Sequence, residues 1–418
     1  MKRYEKYKPT GIQWLPEIPE HWNISKIKSH FRLRATKVSD NEYSALSVSK
    51  NGITPQLDSA VKTDNGDNRK LVKSGDFVVN SRSDRKGSCG ISSLDGSVSL
   101  INIVLEPIDG FGLFYHHLFR SNNYIEEFYR NGRGIVSDLW TTRWNEMSSI
   151  EIPFPPIDEQ KHIAAYLDKR ITLIENCKCQ RERELQTLNE LKQAEIASVV
   201  TRGLNPDVPM KDSGQIQFGK VPAHWDTIKL KYCFNQRSEK GFPNEPVLCA
   251  TQSKGVIPQS LYENRVVVVN KGFDGLKLVK VGDFVISLRS FQGGIEYAYY
   301  QGIISSAYTI LTPKDERNSK YFKYLFKSHP FIQLLQTCVT GIREGQNINY
   351  SVLGNNFIPV PPIEEQNAIV EYIESKTSKI DTMIEALKAE IDRLTEYKQR
   401  LISDVVTGQI DVRGEQIQ

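Results

Sequence analysis

The sequence predicts an α+β chain made twice over: two mainly-β or mixed globular halves, separated by two long antiparallel helices of coiled-coil type and related by a pseudo-twofold internal repeat. Three observations predict it. Blocks of residues recur in order at a step of roughly 203, each half closes in one long helical segment, and each globular part is rich in short β-branched and aromatic runs punctuated by glycine. At 418 residues, 39% hydrophobic and 25% charged, the chain suits two or three well-cored domains and excludes collagen, wholesale disorder and a disulfide miniprotein.

The repeat is read first. Ile18-Pro19-Glu20-His21-Trp22 answers Val221-Pro222-Ala223-His224-Trp225, and Lys50-Asn51-Gly52-Ile53 answers Ser253-Lys254-Gly255-Val256. Gly75-Asp76-Phe77-Val78 returns as Gly282-Asp283-Phe284-Val285, and Pro155-Pro156-Ile157-Asp158-Glu159-Gln160 as Pro361-Pro362-Ile363-Glu364-Glu365-Gln366. The step drifts by only a few residues, so insertions are confined to loops. The boundaries that follow are 1–155 for an N-terminal segment plus the first globular half, 156–202 for the first long helix and 203–222 for a linker. The second half is 223–360, the second helix 361–408 and the tail 409–418.

Runs such as Phe77-Val78-Val79 and Arg265-Val266-Val267-Val268-Val269 read as strands. One helix is expected to interrupt each half, at 113–129 and 319–335. The long helices have a rigid Pro-Pro before them, acidic residues in the first turn and a glycine, Gly203 or Gly408, past the end. Each is about 65 Å long at 1.5 Å per residue. In the second, Ile373, Ile380, Leu387, Leu394 and Leu401 recur at heptad spacing; in the first, Leu167, Ile174 and Leu188 keep the register but Lys178 and Arg181 interrupt it. Each helix needs a partner for its apolar stripe, and the other repeat supplies one of equal length. A twofold relation makes the pair antiparallel and puts the globular halves at opposite ends of a stiff rod.

Chemistry is sparse. The stretch Gly214 to Val221 nearly matches a phosphate-binding loop, but Val221 replaces the hydroxyl that holds magnesium and Pro222 blocks the helix. No dinucleotide or methyl-donor turn, nucleophile elbow or metal-ligand cluster is found, which argues against an enzyme. His21 and His224 read as packing devices, and the six cysteines as reduced thiols. The formal charge of +4 permits nucleic-acid binding without arguing for it, and no run of 18 apolar residues could span a bilayer. A cytoplasmic chain is expected.

What remains are basic, glycine-flanked loops at corresponding places. Arg82, Arg85 and Lys86 stand in the first, Arg289 and Gln292 in its counterpart; Arg133 and Arg143 stand in a second loop, answered by Arg343, Gln346 and Asn347. Arg matches guanine or phosphate and the amides match adenine, while glycine lets backbone approach closely. The halves agree at the edges of these loops and differ within them, so they are expected to read different sequences.

Taken together, Thr10-Gly11-Ile12 with Ile18 to Trp22, the Pro-Pro-Ile-Asp/Glu-Glu-Gln openings and Val405-Val406-Thr407-Gly408 resemble the specificity subunit of type I restriction-modification systems over essentially the whole length. The resemblance implies two target-recognition domains, each reading one part of a bipartite, asymmetric double-stranded DNA site, with residues 1–22 packed beside the linker 203–222. It further implies two modification subunits that bind S-adenosylmethionine and methylate adenine, and two restriction subunits that use ATP and Mg2+. This chain itself would hold no cofactor. The competing class is a coiled-coil scaffold that assembles proteins without touching DNA.

Overall fold

Strands rich in phenylalanine and valine assemble the same way twice. A computed structural model describes residues 2–56, 66–134, 140–262, 273–314, 319–340 and 347–416. The expected strand at 265–269 lies outside them. The chain divides into two units, Met1–Glu182 with Ala389–Gln418, and Arg183–Lys388. In the first, an antiparallel sheet runs in the order Phe31–Leu33, Asn102–Pro107, Phe77–Asn80, Cys89–Ile91; in the second, Phe234–Arg237, Thr309–Pro313, Phe284–Ile286, Glu296–Tyr297 stand in the same order. Asn23–Lys26 pairs with Glu151–Phe154, as Asp226–Lys229 pairs with Phe357–Val360, so each globular half is closed by a ladder between its two ends.

Among the described residues, the helices longer than four residues are α1 (Gly112–Leu118), α2 (Asn122–Arg130), α3 (Ile157–Arg202), α4 (Ser319–Leu325), α5 (His329–Thr337) and α6 (Ile363–Val406). Where one helix was expected in each globular half, there are two. The cause is local. Ser121 hydroxyl donates to the Leu118 carbonyl at 2.7 Å and caps α2, Ser328 donates to Leu325 at the same distance, and Pro330 fits the first turn of a new helix but not the interior of an old one.

These helices cover the sheets through matching aromatic cores. The Phe119 ring lies 5.7 Å from Phe31 and 5.0 Å from Phe77; Phe326 lies 5.3 Å from Phe234 and 5.0 Å from Phe284. Each such pair adds about 0.5–1.5 kcal/mol beyond the area it buries. The repeated Gly-Asp-Phe block forms a turn that needs a left-handed glycine, φ +92° at Gly75 and +90° at Gly282. The aspartate that follows accepts from the backbone three residues earlier, Lys73 or Lys280, at 2.8 Å. It also binds a mostly buried arginine, Arg34 Nε at 2.7 Å from Asp76 and Arg237 Nε at 2.9 Å from Asp283.

The two long helices pack together and run antiparallel within each unit. In the first, Glu175 meets Lys398 at 2.5 Å and Arg181 meets Glu390 at 3.0 Å. In the second, Lys192 meets Asp381 at 2.5 Å and Tyr372 donates to Glu195 at 2.5 Å. Leu167, Ile174, Ile373, Ile380 and Leu401 are buried, whereas Leu188, Leu387 and Leu394 are half-buried. The interruption at Arg181 is thus an ion pair on the seam.

Residues 2–22 find a partner that the sequence did not name. They join the C-terminal tail: Asp411 N–H donates to the Lys2 carbonyl and Tyr7 hydroxyl to the Gly408 carbonyl, both at 2.9 Å. Val412 is fully buried. The linker instead forms its own hairpin in the second unit, Met210–Asp212 with Lys220–Pro222, which is also what the near-match to a phosphate loop turns out to be. The tail after the second helix therefore does for the first unit what the linker after the first helix does for the second. His21 and His224 contact Glu159 and Glu365, at 2.8 and 2.7 Å.

Candidate nucleic-acid interface

The fully buried strand Phe77–Asn80 delivers residues 81–88 to the surface of the first unit. There they meet the loop after α2. Thr141 bridges both: its backbone exchanges two 3.1 Å hydrogen bonds with Arg133 and pairs with Arg82, while Ser83 N–H donates to the Trp140 carbonyl at 2.9 Å. Glu146 gathers the same group, one oxygen 3.4 Å from Arg133 Nε and the other accepting from Arg143 N–H at 3.1 Å. Two loops far apart in sequence are thereby one basic surface carrying Arg82, Arg133 and Arg143.

Arg82 pairs with Asp84 at 3.0 Å, Arg85 approaches the other Asp84 oxygen at 3.7 Å, and Lys86 pairs with Glu126 at 3.0 Å beneath the Tyr129 ring. Exposed pairs of this kind are worth about 0–1 kcal/mol, so a phosphate or base edge can displace the carboxylates at little cost. Beside them lies a cavity of about 810 Å³ with Trp14, Trp140, Tyr129 and Arg130 in its walls. Trp14 was not among the sequence candidates. Its signal lay in Gly11-Ile12-Gln13-Trp14, which answers Gly214-Gln215-Ile216-Gln217 and so sets Trp14 against Gln217.

In the second unit the buried strand Phe284–Ile286 leads into residues 287–294. Ser290 hydroxyl accepts from Ser287 N–H at 2.9 Å, Gln336 of α5 donates to the Phe291 carbonyl at 3.3 Å, and Arg289 and Gln292 are exposed on the turn so fixed. Gly294 closes it at φ +85°, and a side chain there would strike the Phe326 carbonyl at 2.2 Å. Asn347 is exposed and pairs with Thr340 in a two-stranded ribbon, Val339–Thr340 with Asn347–Ile348. Arg343 and Gln346 lie outside the described residues.

Beneath this loop, Glu296 is buried with one oxygen 2.6 Å from Lys327 Nζ. Burial pushes its carboxyl up to about 7, and the Lys327 ammonium offsets only part of that shift. In the first unit the corresponding strand carries Cys89, whose thiol burial pushes up to about 12. It is not poised as a nucleophile. All six cysteines are free. Among the described residues there is no group of three or more His, Cys, Asp or Glu placed to hold a metal, and no helix long and apolar enough to cross a membrane.

Residues 222–393 match the family described as the type I restriction modification DNA specificity domain. Over that stretch the chain is similar to type I restriction-modification specificity subunits. Among the relatives, the putative type I restriction enzyme MjaX specificity subunit of Methanocaldococcus jannaschii is 26% identical over 281 residues, 64% of this chain and 61% of that protein. The type I restriction enzyme EcoBI specificity subunit of Escherichia coli is 23% identical over 285 residues, 62% of this chain and 58% of that protein. The matched regions thus span less than two thirds of these relatives' length. A solved structure described as showing complex assembly and conformational transition of the type I R-M system shares the fold, with a TM-score of 0.68 over 94% of this chain and 99% of that one at 16% identity. The pattern in this chain is one scaffold used twice with different side chains on its basic loops.

Proposed function

We propose that this chain recognises a bipartite, asymmetric site in double-stranded DNA, one part read by each unit. The observation that carries the reading is the correspondence just described: equivalent buried strands present equivalent loops, with Arg85 and Lys86 exposed beside a half-buried Arg82 in one unit and Arg289 and Gln292 exposed in the other. A duplicated scaffold with unlike loops suits a site whose halves differ. Joining two readers in one chain makes the second contact intramolecular, so modest half-site affinities multiply. Arg82, Arg133, Arg143 and Arg289 are the side chains expected to reach base edges or phosphates, with Arg85, Lys86, Gln292 and Asn347 beside them. Arg343 and Gln346 carry the same proposal from the sequence alone.

In this reading the chain is the non-catalytic specificity subunit of a cytoplasmic assembly. It joins two modification subunits that bind S-adenosylmethionine and methylate adenine, and two restriction subunits that use ATP and Mg2+. Mapping N6-methyladenine across the host genome, with and without the gene, tests it. A gapped motif with unequal halves should lose methylation when the gene is removed; an unchanged methylome would contradict the proposal. A duplex-binding assay with and without the partner subunits separates this reading from the purely scaffolding alternative.

A further inference from the structure

A hairpin stands next to each recognition loop, Leu46–Ser49 with Gly52–Pro55 in the first unit and Leu248–Thr251 with Gly255–Pro258 in the second. We infer that the turns of these hairpins, Lys50-Asn51 and Gln252-Ser253-Lys254, belong to the DNA-reading surface, and that Arg120 and Lys327 are positioning residues that hold them there. This rests on the DNA-reading function proposed above.

A polar hairpin turn is by default a solvated loop, and three observations argue against that here. First, the same device grips both turns. The guanidinium of Arg120, just past α1, donates to the Lys50 carbonyl, and Lys327, just past α4, donates to the Gln252 carbonyl at 3.2 Å. A long basic side chain at this place would ordinarily stay free in water and keep its rotamer freedom. Second, Lys327 ties the turn to the recognition loop itself: the same ammonium donates to the Gly293 carbonyl at 2.9 Å and is held from below by Glu296 at 2.6 Å. Third, the Gln252 side chain lies directly on the backbone of Gly293, where a β-carbon would come within 2.9 Å of its amide carbon. Glycine at 293 is what lets the two loops touch. In the first unit the corresponding closeness is between backbones, a β-carbon on Gly90 lying 3.2 Å from Gly52 Cα.

The turns are built for this use. Lys50, Asn51, Gln252, Ser253 and Lys254 are exposed, and their ammonium, amide and hydroxyl groups are the donors and acceptors that match phosphates and base edges. They differ between the units, as the recognition loops do. Each unit would then present a composite reader, a loop plus a hairpin turn clamped to it by one basic residue.

The test is selection from randomised duplex DNA by the full chain, assembled with its methyltransferase partners. Asn51→Ala and Gln252→Ala alter exposed turns and should leave the fold intact. Each should relax one or two positions of a single half-site, about tenfold in selectivity, with the other half unchanged. Lys327→Met should relax the same half-site as Gln252→Ala, and Lys327→Arg should restore it, which a merely structural role would not produce. If the unaltered protein selects a bipartite motif but Asn51→Ala and Gln252→Ala leave both halves intact, the inference fails while the function stands. Equal weakening of both halves also overturns it. An unaltered protein that selects no sequence overturns the function and the inference together.

Discussion

Gly90 and Glu296 hold the same place in the two units, opposite Val78 and Val285 on the edge strand of the main sheet beneath a recognition loop, and they could hardly be less alike. One is a buried glycine on which a β-carbon would lie 3.2 Å from Gly52 Cα; the other is a buried carboxyl group 2.6 Å from Lys327 Nζ. Around them little has changed: Phe31 and Phe234, Phe77 and Phe284, Phe119 and Phe326 keep both identity and position. The difference teaches where the scaffold is constrained. Close packing punishes change among the large aromatics, whereas the layer under the loops has been rebuilt along with the loops it supports.

The largest effect should fall where the units are most alike. Asp76→Ala and Asp283→Ala each take the buried partner from a mostly buried arginine, leaving it only the more exposed Glu106 or Glu239, and leave a turn uncapped, so each should cost about 2–3 kcal/mol. Chemical denaturation of both variants checks this, and a loss in one unit alone would break the equivalence. The next prediction sharpens the asymmetry between linker and tail. Val412→Ala removes two fully buried methyl groups and should cost about 2 kcal/mol. Amide hydrogen exchange should show the loosening among residues 2–22 and the first turns of α3, where His162 meets the Val412 carbonyl at 2.7 Å, and not in the second unit.

The smallest effect concerns the layer under the loops. The folded carboxyl of Glu296 sits at about 7, above its ordinary 4.5. Its contribution to stability is therefore fully present below about 4.5 and is lost as pH rises through 7. Exchange protection of residues 284–297 should fall between pH 5 and 8, with the strands around Cys89 as the control, because that thiol stays neutral throughout. Glu296→Gln should flatten the trend. Equal trends in both units would remove the distinction.

Much of this was legible in the sequence because the repeat is a matter of spacing, and spacing survives in one dimension. Pro155-Pro156 and Gly203 bracket the first long helix, and the Gly-Asp-Phe block carries both the left-handed turn and its cap. The break at Ser121 was missed because apolar spacing in 113–129 suits one helix, while a serine cap competes only locally. Pro330 was the better signal. The join between Lys2 and Asp411 could not be read, since neither hairpin residue nor tail residue shows a pattern that names its partner. For the recognition loops the sequence marks candidates but not company: that Arg82 and Arg133 meet depends on Thr141, whose backbone does the joining.

The central claim is that each unit reads its own part of one DNA site. Selection from randomised duplexes by the assembled complex, carrying Arg82→Ala or Arg289→Ala, tests it most directly. The account predicts that each substitution relaxes a different half of the motif, by about 1–3 kcal/mol at the affected positions, and leaves the other half sharp. If both substitutions relax the same half, or weaken both halves alike, the division of reading between the units is wrong.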